Sequence, residues 1–318
     1  MLFFQDTNAL ALRTLPSALG ASRKNNWEMN SIAVPRMPGE AMGAICRLVD
    51  QTDPSKEIVI NVEYNQLDSL LKAKWNKDGD IANAKGYSHF PGNTNTLLFK
   101  LPEYVANLER TKGVIPEFVN PKYADEARNR FKAPTRLECM MQEYPKLISA
   151  KGAVGFTTYD TWFSFSPVKN NVKDAAALSA KGMPSFGAAQ GEYDFFNWSI
   201  QVLEKAAGVK VEQGEVADWA GVKLSFGPKV LLDPTFGLTI SDIKRKVTGA
   251  NALSKHSTLI VKEAASRIEG LNLDGYLSLA DSAGTGEITT KKGNVAFEKA
   301  TESDDEIYRI RGYKPETQ

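Results

Sequence analysis

The sequence predicts an α/β domain followed by a smaller all-β domain. Through the first two-thirds, short apolar or alternating segments recur between stretches of helical spacing. From about Glu212 these give way to β-branched pieces set between glycine-rich turns. The length, 318 residues, suits about two domains at roughly 100–200 residues each. The expected partition is 1–212 and 213–318.

The apolar run Leu2-Phe3-Phe4 reads as a strand ending at Gln5-Asp6-Thr7-Asn8. Residues 31–34 (Ser-Ile-Ala-Val) form a second, stopped by Pro35 and Pro38. Residues 58–64 form a third, followed by a helix over 67–74. Residues 95–104 fit either state, and 136–141 and 154–159 read as strands. Phe195, Trp198, Val202 and Ala206 give 194–207 an amphipathic helix stopped by Gly208. Beyond the composition change, 222–226, 238–240 and 257–261 read as strands. Residues 271–279 fit a strand–turn–strand or one side of a stacked β coil, with Asp274-Gly275 at its corner.

Composition narrows the function. Lys and Arg number 39 against 38 Asp and Glu, a net charge of +1; a dedicated nucleic-acid binder would need a basic excess to displace counterions. No stretch approaches the ~20 apolar residues of a membrane span. The start, Met1-Leu2-Phe3-Phe4-Gln5-Asp6, has neither the basic opening nor the apolar length of a secretory signal. Cys46 and Cys139 are the only cysteines and read as free thiols in a reducing, cytoplasmic setting. Cys139, on an alternating strand with no histidine partner in view, is expected to be a small buried hydrophobe. With only His89 and His256, a multi-histidine zinc site is excluded and Ser-His-Asp catalysis has little material. Carboxylates, amides and lysines must carry any chemistry.

Several segments hold such groups. Asp6 ends an apolar strand, where α/β sheets bind ligands, and one carboxylate suits a Mg²⁺ that keeps most of its waters and takes phosphate oxygens. Taken alone, an Asp turn closing a strand is the commoner reading. Asn93 and Asn95 lie beside Pro91 and Gly92; their amides suit sugar hydroxyls, and turn chemistry explains them equally well. In Asn120-Pro121-Lys122 and Pro167-Val168-Lys169 a proline fixes the backbone ahead of a lysine that can neutralise phosphate. Solvated surface lysines are commoner than either.

Together these segments change weight. FFQDTN, NSIAVPR, VINVEYNQLD, FPGNTN, EFVNPKY, TRLECMMQ, FSPVKNN and ISDIKRKV, in this order and at these distances, closely resemble the UDP-sugar pyrophosphorylases. These are uridylyltransferases of broad sugar specificity, akin to the UDP-glucose and UDP-N-acetylhexosamine pyrophosphorylases. The resemblance implies a Rossmann-like nucleotidyltransferase sheet followed by a C-terminal β-helix. It implies that Asp6 coordinates Mg²⁺ and nucleotide phosphate, that Lys169 contacts phosphates at the reacting centre, and that Lys122 is a second basic group near the sugar phosphate. Glu63, Asn95 and Asn93 resemble residues that hydrogen-bond sugar hydroxyls. Gly43 resembles a residue of the loop approaching the sugar, with Gly43-Ala44 where related sequences often carry a glycine pair.

The implied reaction joins UTP and a sugar 1-phosphate into a UDP-sugar and pyrophosphate, with Mg²⁺ as cofactor and neither nucleic acid nor membrane as partner. A monomer is expected for the full enzyme. The family's glycine-rich L-x-x-G-x-G-T-x-M uridine loop, which precedes the QDTN strand, does not occur in these residues. The expectation is therefore a C-terminal portion, its sheet incomplete at the N-terminal side. The alternative is a catalytically inactive fragment serving as a binding or assembly module.

Overall fold

The strand Met29–Val34 is buried at every residue, as a strand covered on both faces must be. In this computed structural model, which describes residues 1–119, 123–125, 127, 129–135, 137–149 and 152–317, that strand is central to one of two units. The first unit comprises Met1–Gln5 and Arg13–Ser164; the second comprises Asp6–Leu12 and Phe165–Gln318.

The first unit holds strands β1 (Leu2–Phe3), β2 (Met29–Val34), β3 (Ala44–Val49), β4 (Glu57–Val62), β5 (Gly92–Phe99) and β8 (Val154–Thr158), with a separate hairpin of β6 (Glu117–Val119) and β7 (Leu137–Cys139). The main sheet runs β4-β3-β5-β2-β8, with β1 also pairing β5. Its pairing is mainly antiparallel: among the described residues only β2 and β8 run parallel. Helix α1 (Leu15–Asn25) covers one face through Ala18 against Ile32 and Leu98. The other face meets the 3-10 segment Met141–Leu147 through Met29, Leu97, Phe99 and Tyr144. Helix α2 (Tyr64–Lys74) buries Leu67 and Leu71 against Ala44, Cys46 and Val62. Helix α3 (Leu101–Thr111) follows β5 directly, so residues 95–104, which fit either state, divide into strand and helix at Lys100. A short α4 (Thr161–Ser164) ends the unit.

The second unit begins its helices with α5 (Val172–Ser179) and the 20-residue α6 (Ala188–Ala207), which Gly208 closes in the left-handed region at φ 68°. The strands are β9 (Lys210–Val211), β10 (Ala217–Trp219), β11 (Val222–Leu224), β12 (Lys229–Leu232), β13 (Val247–Thr248), β14 (Ala252–Leu253), β15 (Thr258–Val261), β16 (Arg267–Leu273), β17 (Tyr276–Leu279), β18 (Ala283–Ile288), β19 (Val295–Lys299) and β20 (Tyr313–Thr317). Strands β12, β15 and β17 stack in parallel register, as do β9, β14, β16 and β18, with β13 also on β16. Strands β16 and β17 fall in different sheets, so Asp274-Gly275 is a turn between two sheets and not a hairpin. The remaining helices are α7 (Ile240–Lys246) and α8 (Glu306–Arg311).

Three expectations need correction. The units do not divide at residue 212. The parallel strands do begin there, at β9, yet the unit extends back to Phe165 because α5 and α6 bring Ala175 and Ala189 into the core of Val222, Leu224 and Tyr313. Residues 238–240 are no strand; Thr239 accepts from the Asp242 backbone and Asp242 returns the bond, a capping box that starts α7. Cys139 is exposed, because among the described residues β7 pairs only with β6 in a two-stranded hairpin. Cys46 is the buried thiol, and burial pushes its pKa up to about 12. Among the described residues no helix is long and apolar enough to cross a membrane.

Candidate functional site

Four of the sequence-predicted residues converge where β3, β4 and β5 meet. Asn61 lies in the buried half of β4, and its amide donates to Glu63 Oε1 at 2.7 Å. Its own oxygen accepts from Asn93 Nδ2 at 3.1 Å, and Asn93 Oδ1 accepts the backbone N–H of Asn95 at 3.0 Å. Gly43 closes the circuit: its carbonyl accepts from the Asn93 backbone at 2.8 Å, and a Cβ on it would collide with Asn61 Oδ1. The Glu63 carboxylate, the side-chain amides of Asn61 and Asn93 and the backbone N–H of Asn95 are thus tied into a single chain of donors and acceptors.

Local sequence explains the arrangement. Pairing of β2 with β5 slips between Ile32 and Ala33, so Thr94 and Asn95 bulge from the ladder. Asn95 adopts φ 56°, a left-handed conformation that Asn tolerates better than most residues. Thr94 secures the bulge by donating to the Ile32 carbonyl at 2.9 Å. Glu63 stands at the N-cap of α2, in extended conformation, where a strand passes directly into a helix.

Beneath this lies Arg36, 1% exposed. Its guanidinium reaches Asp80 at 2.5 Å, Ser88 at 3.1 Å, and the carbonyls of Met37, Glu40 and Phe90. Burial alone would raise the Asp80 carboxyl, but bonds from Ser88, the Gly39 N–H and Arg36 outweigh it and hold the pKa below the usual range. The pair fixes the 37–40 turn and the approach to Gly92-Asn93. Neither Asn61 nor Arg36 stands out in the sequence, where each is a single polar residue inside, or just after, an apolar strand.

Asp6 and Lys169 lie in the second unit. Asn8 and Pro167 form an antiparallel bridge, and the Val168 N–H donates to the Thr7 carbonyl at 2.9 Å. The bridge brings the segment of Asp6 alongside that of Lys169. Both are exposed, and among the described residues neither side chain holds a hydrogen bond or ion pair. The Lys169 backbone is fixed from the other side, since the N–H groups of Lys169 and Asn170 both donate to the Phe186 carbonyl, at 2.8 and 3.0 Å. Lys122 lies outside the described residues.

The second unit therefore offers a carboxylate and an ammonium without partners among the described residues. A magnesium ion held mainly by water and phosphate oxygens needs only one or two carboxylates. Asp6 fits that demand, and among the described residues no group of three metal-ligating side chains forms a protein cage.

The sequence as a whole decides what such a pair resembles. The chain is similar to the UDP-sugar pyrophosphorylases. It is 41% identical over 321 aligned positions to the UDP-sugar pyrophosphorylase of Oryza sativa subsp. indica, an alignment covering 99% of this chain and 51% of that protein. Identity to the UDP-sugar pyrophosphorylase of Arabidopsis thaliana is also 41%, over 99% of this chain and 52% of that one. The chain spans about half the length of these pyrophosphorylases. Among solved structures, the uridine diphosphate N-acetylglucosamine pyrophosphorylase of Trypanosoma brucei aligns with 75% of this chain and 43% of its own, at 17% identity and a TM-score of 0.46. A variant UDP-glucose pyrophosphorylase of Leishmania major aligns with 90% of this chain and 56% of its own, at 15% identity and a TM-score of 0.38. No family model matches the chain.

Proposed function

We propose that this chain provides sugar- and phosphate-binding parts of a UTP–sugar-1-phosphate uridylyltransferase with broad sugar specificity. The observation that carries the reading is the Asn8–Pro167 bridge, which brings the segment of Asp6 alongside that of Lys169, both residues being exposed. Similarity to UDP-sugar pyrophosphorylases over 99% of the chain supports it. We take the two parallel sheets of the second unit as faces of a β-helix, and the sheet of the first as part of a Rossmann-like nucleotidyltransferase fold.

In the proposed reaction a phosphate oxygen of the sugar 1-phosphate attacks the α-phosphorus of UTP in line. The bond to the bridging oxygen breaks, pyrophosphate leaves with the electron pair, and a UDP-sugar forms. Such chemistry asks for positioning and charge neutralisation rather than a covalent nucleophile, which suits a chain with 2 histidines. Lys169 offsets charge on the phosphates. Asp6 would hold Mg²⁺, which when bound spreads phosphate charge and orients the oxygens. Glu63, Asn93 and Asn95 accept from and donate to sugar hydroxyls, and Gly43 leaves room for the sugar to approach. Lys122 is assigned a second contact to the sugar phosphate.

The test is calorimetric titration of the 318-residue chain with UTP, UDP-glucose and glucose 1-phosphate in the presence of Mg²⁺, alongside a pyrophosphate-release assay. Turnover establishes the reading. Binding without turnover favours the alternative of a binding or assembly module. An intact fold that takes none of the three ligands overturns both.

A further inference from the structure

Asn8 follows Asp6 by two residues and is 4% exposed. Its side-chain oxygen accepts two backbone bonds, from Ser166 N–H at 2.9 Å and from Leu10 N–H at 3.2 Å. The first crosses from the segment that carries Asp6 to the one that carries Lys169. Ser166, 3% exposed, turns its hydroxyl the other way and donates to Asp194 Oδ2 at 2.7 Å. Asp194, on α6, also accepts from Gln190 Nε2 at 2.9 Å. A buried polar line therefore runs from the Asp6 segment through Asn8 and Ser166 into the longest helix of the unit.

The two segments need such a fastening. Their ladder is a single bridge, Asn8 to Pro167, and Pro167 has no N–H to add to it. Two short strands alone hold their register weakly. A slip of one residue would turn every side chain of a strand to the opposite face and part Asp6 from Lys169. The Asn8 amide oxygen can prevent the slip because it bonds one particular N–H across the pair, that of the residue next to Pro167 of the bridge.

We propose that Asn8 is a positioning residue: by bonding the Ser166 N–H, its side chain locks the register that holds the segment of Asp6 alongside that of Lys169. The proposal rests on the reading of Asp6 and Lys169 as phosphate-side groups, yet the lock has a readout of its own. Ordinary turn chemistry would explain the bond to Leu10 alone; it does not explain the bond to Ser166, 158 positions away.

Amide hydrogen exchange on the full chain separates the two. Asn8→Ala removes the acceptor, whereas Asn8→Asp keeps it. In Asn8→Ala the Ser166 and Val168 amides should exchange at least about tenfold faster while those of α6 hold, and in Asn8→Asp they should stay within about threefold of wild type. Where the chain turns over UTP, Asn8→Ala should lower kcat by about 100-fold, the scale of an ångström-level misplacement, with KM for the sugar phosphate little changed. Unaltered exchange at Ser166 and Val168 in Asn8→Ala overturns the proposal, and so does faster exchange with kcat intact.

Should Asn8→Ala also expose α6, oxidation of the Asp6→Cys, Lys169→Cys double variant with Asn8 intact decides. Ready disulfide formation supports the locked register; failure to cross-link overturns it. A wild-type chain that neither binds nor turns over nucleotide would defeat the reading of the site, while the exchange and cross-linking results would still settle the lock.

Discussion

Asn61 holds Glu63 with its amide at 2.7 Å while its oxygen accepts from Asn93 at 3.1 Å, so one side chain sets the orientation of two proposed sugar contacts. Removing it strands a buried donor on Asn93, at a cost of about 1–3 kcal/mol. Asn61→Ala should therefore weaken sugar 1-phosphate binding by about tenfold or more, since 1.4 kcal/mol is a factor of ten. Asn61→Asp should do worse, because it faces Glu63 with a second carboxylate where a donor stood. Calorimetry with glucose 1-phosphate reads both, and wild-type affinity in the two variants would remove Asn61 from the site.

Gly43 is confined by the same side chain. A methyl group there overlaps Asn61 Oδ1, and the strain can be relieved only by swinging the amide away from Asn93. Overpacking of this kind costs about 1–3 kcal/mol. Gly43→Ala should lower the melting temperature modestly and reproduce the binding loss of Asn61→Ala. Because the two changes act through one amide, their effects should add to less than their sum in the double variant.

Much of this was legible in the sequence, for a reason particular to each residue. Asp6 follows an apolar run, where a polar side chain has no packing role to explain it; Asn93 and Asn95 stand out beside Pro91 and Gly92, and Glu63 is marked only by the family resemblance. Asn61 was hidden because it falls within an alternating strand and reads as its solvent side; β3 and β5 cover that position instead. Arg36 follows a proline and reads as a surface cation, yet a buried carboxylate 44 positions away claims it. Cys139 failed in the opposite sense, since alternation predicts a buried face only where a second layer exists to cover it. Long-range partners are what one-dimensional patterns omit.

Asp194 should make stability depend on pH. Burial raises its pKa, and the bonds from Ser166 and Gln190 only partly offset this. The folded state then binds the proton more tightly than the unfolded chain. Its contribution is fully present below the ordinary aspartate pKa and is lost as pH rises through the raised value. Asp194→Asn, which imitates the neutral form, should flatten that part of the profile. The difference in melting temperature between variant and wild type, followed upward from about pH 4, carries the check; a constant difference would mean that the carboxyl is already ionised in the fold.

Breaking the Arg36–Asp80 pair tests the support beneath the sugar-side cluster. The two side chains are 1% and 5% exposed, so truncating either leaves a buried charge unpaired. Losses of this kind run to about 3–5 kcal/mol. Asp80→Ala should lower the denaturant midpoint strongly and free the 37–40 turn, and Arg36→Met, which removes the charge and keeps apolar bulk, should leave Asp80 unpaired in turn. The double variant should recover part of the loss. No recovery would indicate that the guanidinium's four other bonds, rather than the charge pair, hold the turn.

Lys169 should behave in the opposite way, costing rate and not fold. Its side chain is exposed and without a partner among the described residues, while its backbone stays bonded to Phe186 whatever the side chain is. Lys169→Ala should therefore melt within about a degree of wild type, since surface changes of this sort fall within about ±0.5 kcal/mol. In a chain that turns over, it should lose about 10²–10³ in kcat, equivalent to about 2.7–4 kcal/mol of barrier, by comparison with the loss of one preorganised donor elsewhere. Lys169→Arg should recover only part of that, because a guanidinium fork is broader than an ammonium and presents its donors in a different plane. Pyrophosphate release at saturating substrate measures all three proteins. Full activity in Lys169→Ala would remove the ammonium from the reaction; a fallen melting temperature with unchanged residual rate per folded molecule would make it a structural residue.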